Sequence, residues 1–140
     1  MKTIAITGRT GVGKSRLLSL LHSPQTTAVV DPLATPPCAW VVPDPKSCGA
    51  VVIDHAFQLD NAKEVVAEIR AWCEQHGVSL WIAELSMLDL YSIGIELPED
   101  TFEINLLYPN EEPDMERSDK RVSVTRKDGI ALAKQFIAVR

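Results

Sequence analysis

The sequence predicts an α/β protein with three layers, α/β/α, around a mostly parallel central sheet of about five to six strands. Short apolar segments alternate along the chain with segments whose apolar residues recur at helical spacing. Several of the short segments are apolar at nearly every position, which is typical of parallel strands buried on both faces. Because parallel strands need crossover connections, the alternation favours helices on both faces of the sheet.

The strand-like segments are short, rich in Val and Ile, and bounded by glycine, proline or charged residues. A further short edge strand is expected at residues 39–42, inside a connection that holds five prolines between residues 32 and 45. Proline lacks the amide hydrogen that a central strand or a helix needs, so this stretch is predicted as a connection. The main strands are expected at residues 2–7, 26–30, 50–53, 78–83, 101–107 and 121–125.

Four segments have helical periodicity, and the one at residues 61–76 is the clearest because its apolar residues form one stripe. Asn61 followed by Glu64 resembles a capping box at its start, and Gly77 supplies a stop at its end. The other helices are expected at residues 14–21, 87–91 and 129–138.

The composition is that of an ordinary globular protein. The chain has 140 residues, 46% of them apolar, and we expect a single domain over residues 1–140. The formal net charge of −5 argues against a free-standing nucleic-acid binder, which is usually basic. Charge is unevenly placed, with nine acids and one base in residues 96–119 and six bases and one acid in residues 120–140. These segments are interpreted either as solvated surfaces or as patches for a partner or a second subunit.

The cysteine spacing and the hydropathy bear on location. The three cysteines match no metal-binding or redox spacing, which favours reduced thiols and a cytoplasmic protein. No apolar run approaches the roughly 20 residues that span a bilayer, so no membrane insertion is expected. Because a strand is predicted at residues 2–7, we expect no signal peptide.

Residues 8–15, the glycine-rich loop, satisfy the pattern G-x-x-x-x-G-K-[ST] in full. The pattern follows a predicted strand and opens a predicted helix, which is the context that the motif requires. Glycines let the backbone curl so that its amide hydrogens can face phosphate oxygens, and the lysine can reach the β- and γ-phosphates. A glycine turn without a ligand is the structural alternative. The predicted nucleotide-binding residues are Gly8, Arg9, Thr10, Gly11, Val12, Gly13, Lys14, Ser15 and Arg16.

With this motif the chain resembles the P-loop NTPase superfamily. Residues 50–54 are similar to the Walker B strand of that superfamily, which ends in an aspartate near the magnesium ion. The resemblance implies that ATP and Mg²⁺ are bound, with Ser15 and Asp54 as the metal-associated residues. Asp54 could also be an aspartate that merely ends a strand.

The residues expected to carry catalysis are Lys14, Asp54 and Glu84. Many P-loop ATPases place a glutamate beside the Walker B aspartate, and here His55 stands in that position, which favours slow hydrolysis. Histidine can act as a base, or it can simply end a strand. Glu84 follows the fourth main strand, and in many relatives a polar residue there senses the γ-phosphate; a surface position is the alternative.

Within the superfamily, residues 29–32 resemble the strand and Asp-Pro turn of HerA/FtsK-like DNA-pumping ATPases and of conjugative coupling proteins. Residues 68–72 and 77–83 are similar to the helix and the strand that follow Walker B in those proteins. The chain lacks their catalytic glutamate and accessory regions, so it resembles a minimal core. Asp31 is interpreted either as a turn residue or as part of the site.

Hexameric relatives insert an arginine from the next subunit into the site. The best candidate for this role is Arg126, with Arg121 and Arg9 behind it, although solvated arginines are the simpler interpretation.

Three functions remain open. The first is an ATPase core that works on DNA or with a partner protein, in a homo-oligomer, with slow intrinsic turnover. The second is a nucleotide-binding regulator or adaptor with little hydrolysis. The third, a small-molecule kinase, is less favoured because such enzymes usually carry an arginine-rich lid, whereas the stretch after the fourth strand is acidic.

Overall fold

The computed structural model describes residues 2–20, 26–113 and 118–138, and it confirms the α/β class. Strands and helices alternate along the chain, with one short 3₁₀ turn at Ala56–Gln58. The strands are β1 (Thr3–Thr7), β2 (Thr27–Val30), β3 (Ala50–Ile53), β4 (Ser79–Glu84), β5 (Phe102–Leu107) and β6 (Arg121–Thr125). The helices are α1 (Lys14–Ser19), α2 (Ala62–His76), α3 (Met87–Ser92) and α4 (Arg126–Ala138).

The described strands form one sheet in the order β2-β3-β4-β1-β5-β6, and every neighbouring pair is parallel. β1 lies inside the sheet, where Ile6 is in register with Ala83 of β4 and Ile104 of β5. β4 separates β1 from β3. Because all strands run the same way, the residues that follow β1, β3 and β4 meet at one edge of the sheet.

Helices cover both faces of the sheet, as the apolar strands predict. On one face, Ile4 and Ile6 of β1 pack with Leu17 and Leu18 of α1 and with Ala133 of α4. On the opposite face, apolar residues of the strands pack with α2 and α3. This second cluster includes Ala5, Val51, Ile53, Leu80, Ile82, Val66, Ile69, Cys73 and Leu90. Alternate residues of the strands therefore contribute to two separate cores.

Two local expectations are wrong. Residues 39–42 form no strand; instead Asp31 and Cys38 pair in an isolated antiparallel bridge that closes the proline-rich loop. Asn61 precedes α2 in a left-handed conformation (φ 54°) and its side chain makes no capping hydrogen bond. Gly77, by contrast, ends α2 as predicted, with φ 66° and its N–H donating to the carbonyl of Cys73.

Helix boundaries also differ from the expected ones. α1 ends at Ser19, and the predicted continuation at residue 21 lies outside the described residues. α4 begins at Arg126, three residues earlier than its apolar pattern indicates. In the described part of the chain, no helix combines the length and apolar character needed to cross a membrane.

Candidate functional site

A pocket of about 370 Å³ opens at the edge of the sheet where β1, β3 and β4 end. It contains Lys14, Ser15, Asp54 and Glu84, which the sequence analysis selected separately from three different segments. The full lining is Thr10, Gly11, Gly13, Lys14, Ser15, Arg16, Asp54, His55, Phe57, Gln58, Ala83, Glu84 and Leu85. Of the predicted nucleotide-binding residues, Gly8, Arg9 and Val12 do not line it.

The backbone of the glycine-rich loop takes conformations that other residues rarely adopt. Gly8, Gly11 and Gly13 have φ values of 146°, 81° and 108°. At Gly8 an added Cβ would lie 2.7 Å from the carbonyl oxygen of Leu106 and 2.9 Å from Cγ1 of Val12. Val12 is itself buried in the core, so the loop is held to the sheet from below. The local sequence thus dictates a tight, strained turn.

The loop offers backbone donors to a ligand. Among the described residues, the N–H groups of Gly11, Gly13, Lys14 and Ser15 donate to no backbone or side-chain acceptor. Successive N–H groups in a turn of alternating handedness form a concavity that binds anions. The arrangement therefore suits phosphate oxygens.

The Lys14 side chain lies over the loop. Its Nζ donates to the carbonyl oxygen of Gly8 at 2.5 Å and to that of Arg9 at 2.9 Å. Partial burial lowers the pKa of Lys14 from its ordinary value, and the nearby Glu84 and Asp54 carboxylates oppose that shift. The ammonium group is thus partly desolvated, which strengthens its attraction for an anion.

Asp54 follows β3 and is buried, with 8% of its surface exposed. Its backbone N–H donates to the carbonyl of Val30, and its Oδ1 accepts the N–H of His55 at 2.9 Å. His55 has a left-handed backbone (φ 54°), and its Nδ1 lies 2.9 Å from Oδ1 of Asp31 at the end of β2. Asp31 therefore contacts a residue that lines the pocket, although Asp31 does not itself line it.

Asp31, Asp54 and His55 are also the group best placed to hold a metal ion in the described residues. Each offers one ligand atom, and the three atoms lie within 4.8 Å of one another. Two of the three are carboxylate oxygens, which are hard ligands of the kind Mg²⁺ takes together with water and phosphate. The Ser15 hydroxyl shares the pocket with Asp54.

Glu84 is the last residue of β4 and is buried, with 9% of its surface exposed. Its Oε2 accepts the N–H of Phe57 at 2.8 Å, and its Oε1 accepts the N–H of Leu85 at 2.9 Å. The carboxylate therefore ties the 3₁₀ turn after β3 to the end of β4. Nothing in the periodicity of the sequence indicates that turn, because it spans only Ala56–Gln58.

The three arginines considered as candidates for insertion into the site of a neighbouring subunit lie in different surroundings. Arg121 pairs with Glu103 at 3.1 Å, and its side chain is only 12% exposed. Arg9 lies 3.6 Å from Glu111 and is largely exposed. Arg126 begins α4, and its side chain lies against Gly13 of the same chain.

The chain was also compared with known proteins. No family model, curated protein or solved structure matches it.

Proposed function

We propose that the chain binds ATP with Mg²⁺ in this pocket and hydrolyses it slowly. The observation that supports this best is the convergence of Lys14, Ser15, Asp54 and Glu84 on one cavity beside a loop of free backbone donors. Lys14 and Ser15 begin α1 after the loop that follows β1, Asp54 follows β3 and Glu84 ends β4, so three distant segments of the chain contribute. Polar groups at the carboxyl ends of parallel strands are the usual setting of a ligand site in an α/β sheet.

Each group has a distinct task in the proposed complex. The backbone N–H groups of the loop donate hydrogen bonds to the phosphate oxygens, and the Lys14 ammonium neutralises charge on the β- and γ-phosphates. Ser15 and Asp54 supply oxygen atoms for the magnesium ion or its water ligands. When bound there, a magnesium ion would supply positive charge to offset the negative charge that develops in phosphoryl transfer.

Slow turnover follows from the state of Glu84. Both of its carboxylate oxygens already accept backbone N–H bonds, so the carboxylate is engaged by the protein backbone and is not free to take a proton from an attacking water. Through the same two hydrogen bonds, the Glu84 side chain also holds the wall of the pocket in place. The neighbour of Asp54, His55, is engaged by Asp31 through Nδ1. The site therefore supports binding more strongly than it supports proton transfer from water.

The same engagement of Glu84 favours a second candidate function, a regulator or adaptor whose partner reads the nucleotide-bound state. The two functions differ in turnover. A rate above about 1 per second would exclude the regulator, since ordinary enzymes work at about that rate or faster. Hydrolysis that rises with added DNA, or with protein concentration, would favour the ATPase core acting on DNA or in a homo-oligomer.

The test is calorimetric titration of the wild type and of Lys14→Ala with MgATP. Lys46→Ala is the matched control, because Lys46 is an exposed lysine that does not line the pocket. Loss of a hydrogen bond to a charged group is worth about 1.5–3 kcal/mol, so Lys14→Ala should weaken binding roughly 10- to 100-fold. Equal affinity in the wild type and in Lys14→Ala would refute the assignment.

A further inference from the structure

A second cavity, of about 490 Å³, lies beside the glycine-rich loop toward β5 and β6. Gly11 and Arg16 line both this cavity and the pocket that holds Lys14, so the two spaces meet at these residues. The remaining walls come from the end of β5, the end of β6 and the start of α4. A molecule longer than a phosphate chain can therefore extend from one space into the other.

One wall of the second cavity is the ring of Tyr108, which follows β5 directly. A tight turn fixes its backbone: the Tyr108 N–H donates to Oε1 of Glu111 at 2.8 Å, and the Glu111 N–H donates to the Tyr108 carbonyl at 3.0 Å. The Tyr108 hydroxyl donates to the carbonyl oxygen of Thr10 in the glycine-rich loop. The ring is therefore held against the loop at both ends.

A second wall is the side chain of Arg126. A Cβ atom built on Gly13 would lie 2.4 Å from Cδ of Arg126 and 3.1 Å from its Cγ, so the arginine stem covers this glycine. Arg16 and Lys127 add two more cations to the lining, whereas no acidic residue lines the cavity. This local excess of positive charge contrasts with the net charge of −5 of the whole chain.

We propose that the second cavity receives the base of the bound nucleoside triphosphate, which stacks on Tyr108 while Arg126 covers its other side. This inference rests on the proposed function, because it places the phosphates on the glycine-rich loop. An aromatic ring and an arginine are the side chains that stack well on a base. Arg16, at the junction of the two spaces, faces the part of the nucleotide between base and terminal phosphates.

The cavity has little with which to distinguish one purine from another. None of its lining residues, all of which lie in the described part of the chain, is an Asp, Glu, Asn or Gln. Such side chains read base edges, as Arg and Lys also do. In the proposed pose Arg126 covers the face of the base and Arg16 lies toward the phosphates, so neither arginine is placed at a base edge. Stacking accepts any base with a large π-face, so ATP and GTP are bound with similar affinity.

The test compares MgATP, MgGTP and magnesium tripolyphosphate by calorimetry. Stacking on an aromatic side chain corresponds to roughly 5- to 100-fold in affinity, so Tyr108→Ala should weaken both nucleotides by that factor. Tripolyphosphate has no base, and Tyr108→Ala should leave its affinity within threefold. Tyr108→Phe is the matched control, since it keeps the ring and loses only the hydrogen bond to Thr10. ATP and GTP should differ by less than fivefold.

The wild type gives a second measurement that does not depend on the folding of a variant. Photolabelling with 8-azido-ATP should modify Tyr108 or residues 125–130. Labelling confined to other segments would overturn the proposal, as would equal ATP affinity in Tyr108→Ala or a selectivity of fivefold or more between the two purines. Tyr108→Ala that weakens a single-stranded oligonucleotide but not ATP would assign the cavity to nucleic acid instead.

The tripolyphosphate titration separates this inference from the proposed function. If Lys14→Ala weakens tripolyphosphate binding while Tyr108→Ala has no effect on ATP, the phosphate site stands and the base site fails. If Lys14→Ala changes neither ligand, the phosphate site fails and the base site falls with it.

Discussion

The role of Glu84 leads to the most informative stability prediction. Its two carboxylate oxygens accept the N–H groups of Phe57 and Leu85 at 2.8 and 2.9 Å in a buried position. A hydrogen bond to a charged group contributes about 1.5–3 kcal/mol. Glu84→Gln keeps one acceptor oxygen and turns an NH₂ group toward the other N–H, so it should cost about 1.5–3 kcal/mol. Glu84→Ala removes both acceptors and should cost about 3–6 kcal/mol.

The assay is urea unfolding monitored by circular dichroism. The free energies of unfolding are compared between variants for which the dependence on urea concentration has the same slope. Glu74→Gln is the matched control, because Glu74 is a half-exposed glutamate whose partner is Arg70 on the same helix. The expected order of stability is wild type, then Glu84→Gln, then Glu84→Ala, with the control within about 0.5 kcal/mol of the wild type. Glu84 variants as stable as the control would contradict the clamp between β4 and the 3₁₀ turn.

Three more predictions concern the loop, a thiol and a titration. Gly8→Ala should lower the melting temperature strongly, because its Cβ would meet the Leu106 carbonyl at 2.7 Å. Gly77→Ala, which meets nothing within 4 Å, should cost only about 1–2 kcal/mol; equal losses would contradict the clash. Burial raises the pKa of the Cys73 thiol to about 12, so Cys73 should resist alkylation until urea unfolds the chain; rapid labelling of the folded protein would count against its burial. Burial lowers the pKa of Lys14 below its ordinary value of 10.5. Because the folded state then binds fewer protons than the unfolded state, the wild type should gain stability relative to Lys14→Met as pH rises toward 10.5. Paired urea titrations in which the wild type instead loses stability over this range would contradict the lowered pKa.

The sheet was largely predictable because its central strands β1, β3 and β4 are buried on both faces and nearly all apolar. Residues 50–53 were predicted to the residue, since Gly49 and Asp54 bound the run, and the bounds of residues 121–125 also agree. The prediction of an edge strand at residues 39–42 was wrong, because the backbone pairing in that loop is made by the Asp31–Cys38 bridge. Tertiary pairing of this kind leaves no periodic pattern in the sequence.

The candidate site was predictable only in part. The motif selected Lys14 and Ser15, and the positions at strand ends selected Asp54 and Glu84. Predicting that all four line one pocket requires the order of the strands in the sheet, and local sequence patterns do not encode that order. The contact between Asp31 and His55 depends on a left-handed backbone at a histidine, a conformation that side chains with a Cβ seldom adopt.

The most direct test of the central claim is a crystal structure of the protein with Mg²⁺ and a non-hydrolysable ATP analogue. We predict phosphate oxygens within hydrogen-bond distance of the N–H groups of Gly11, Gly13 and Lys14, with the metal ion between the phosphates and Asp54. A nucleotide bound elsewhere on the protein, with the Lys14 ammonium still on the carbonyls of Gly8 and Arg9, would contradict the claim.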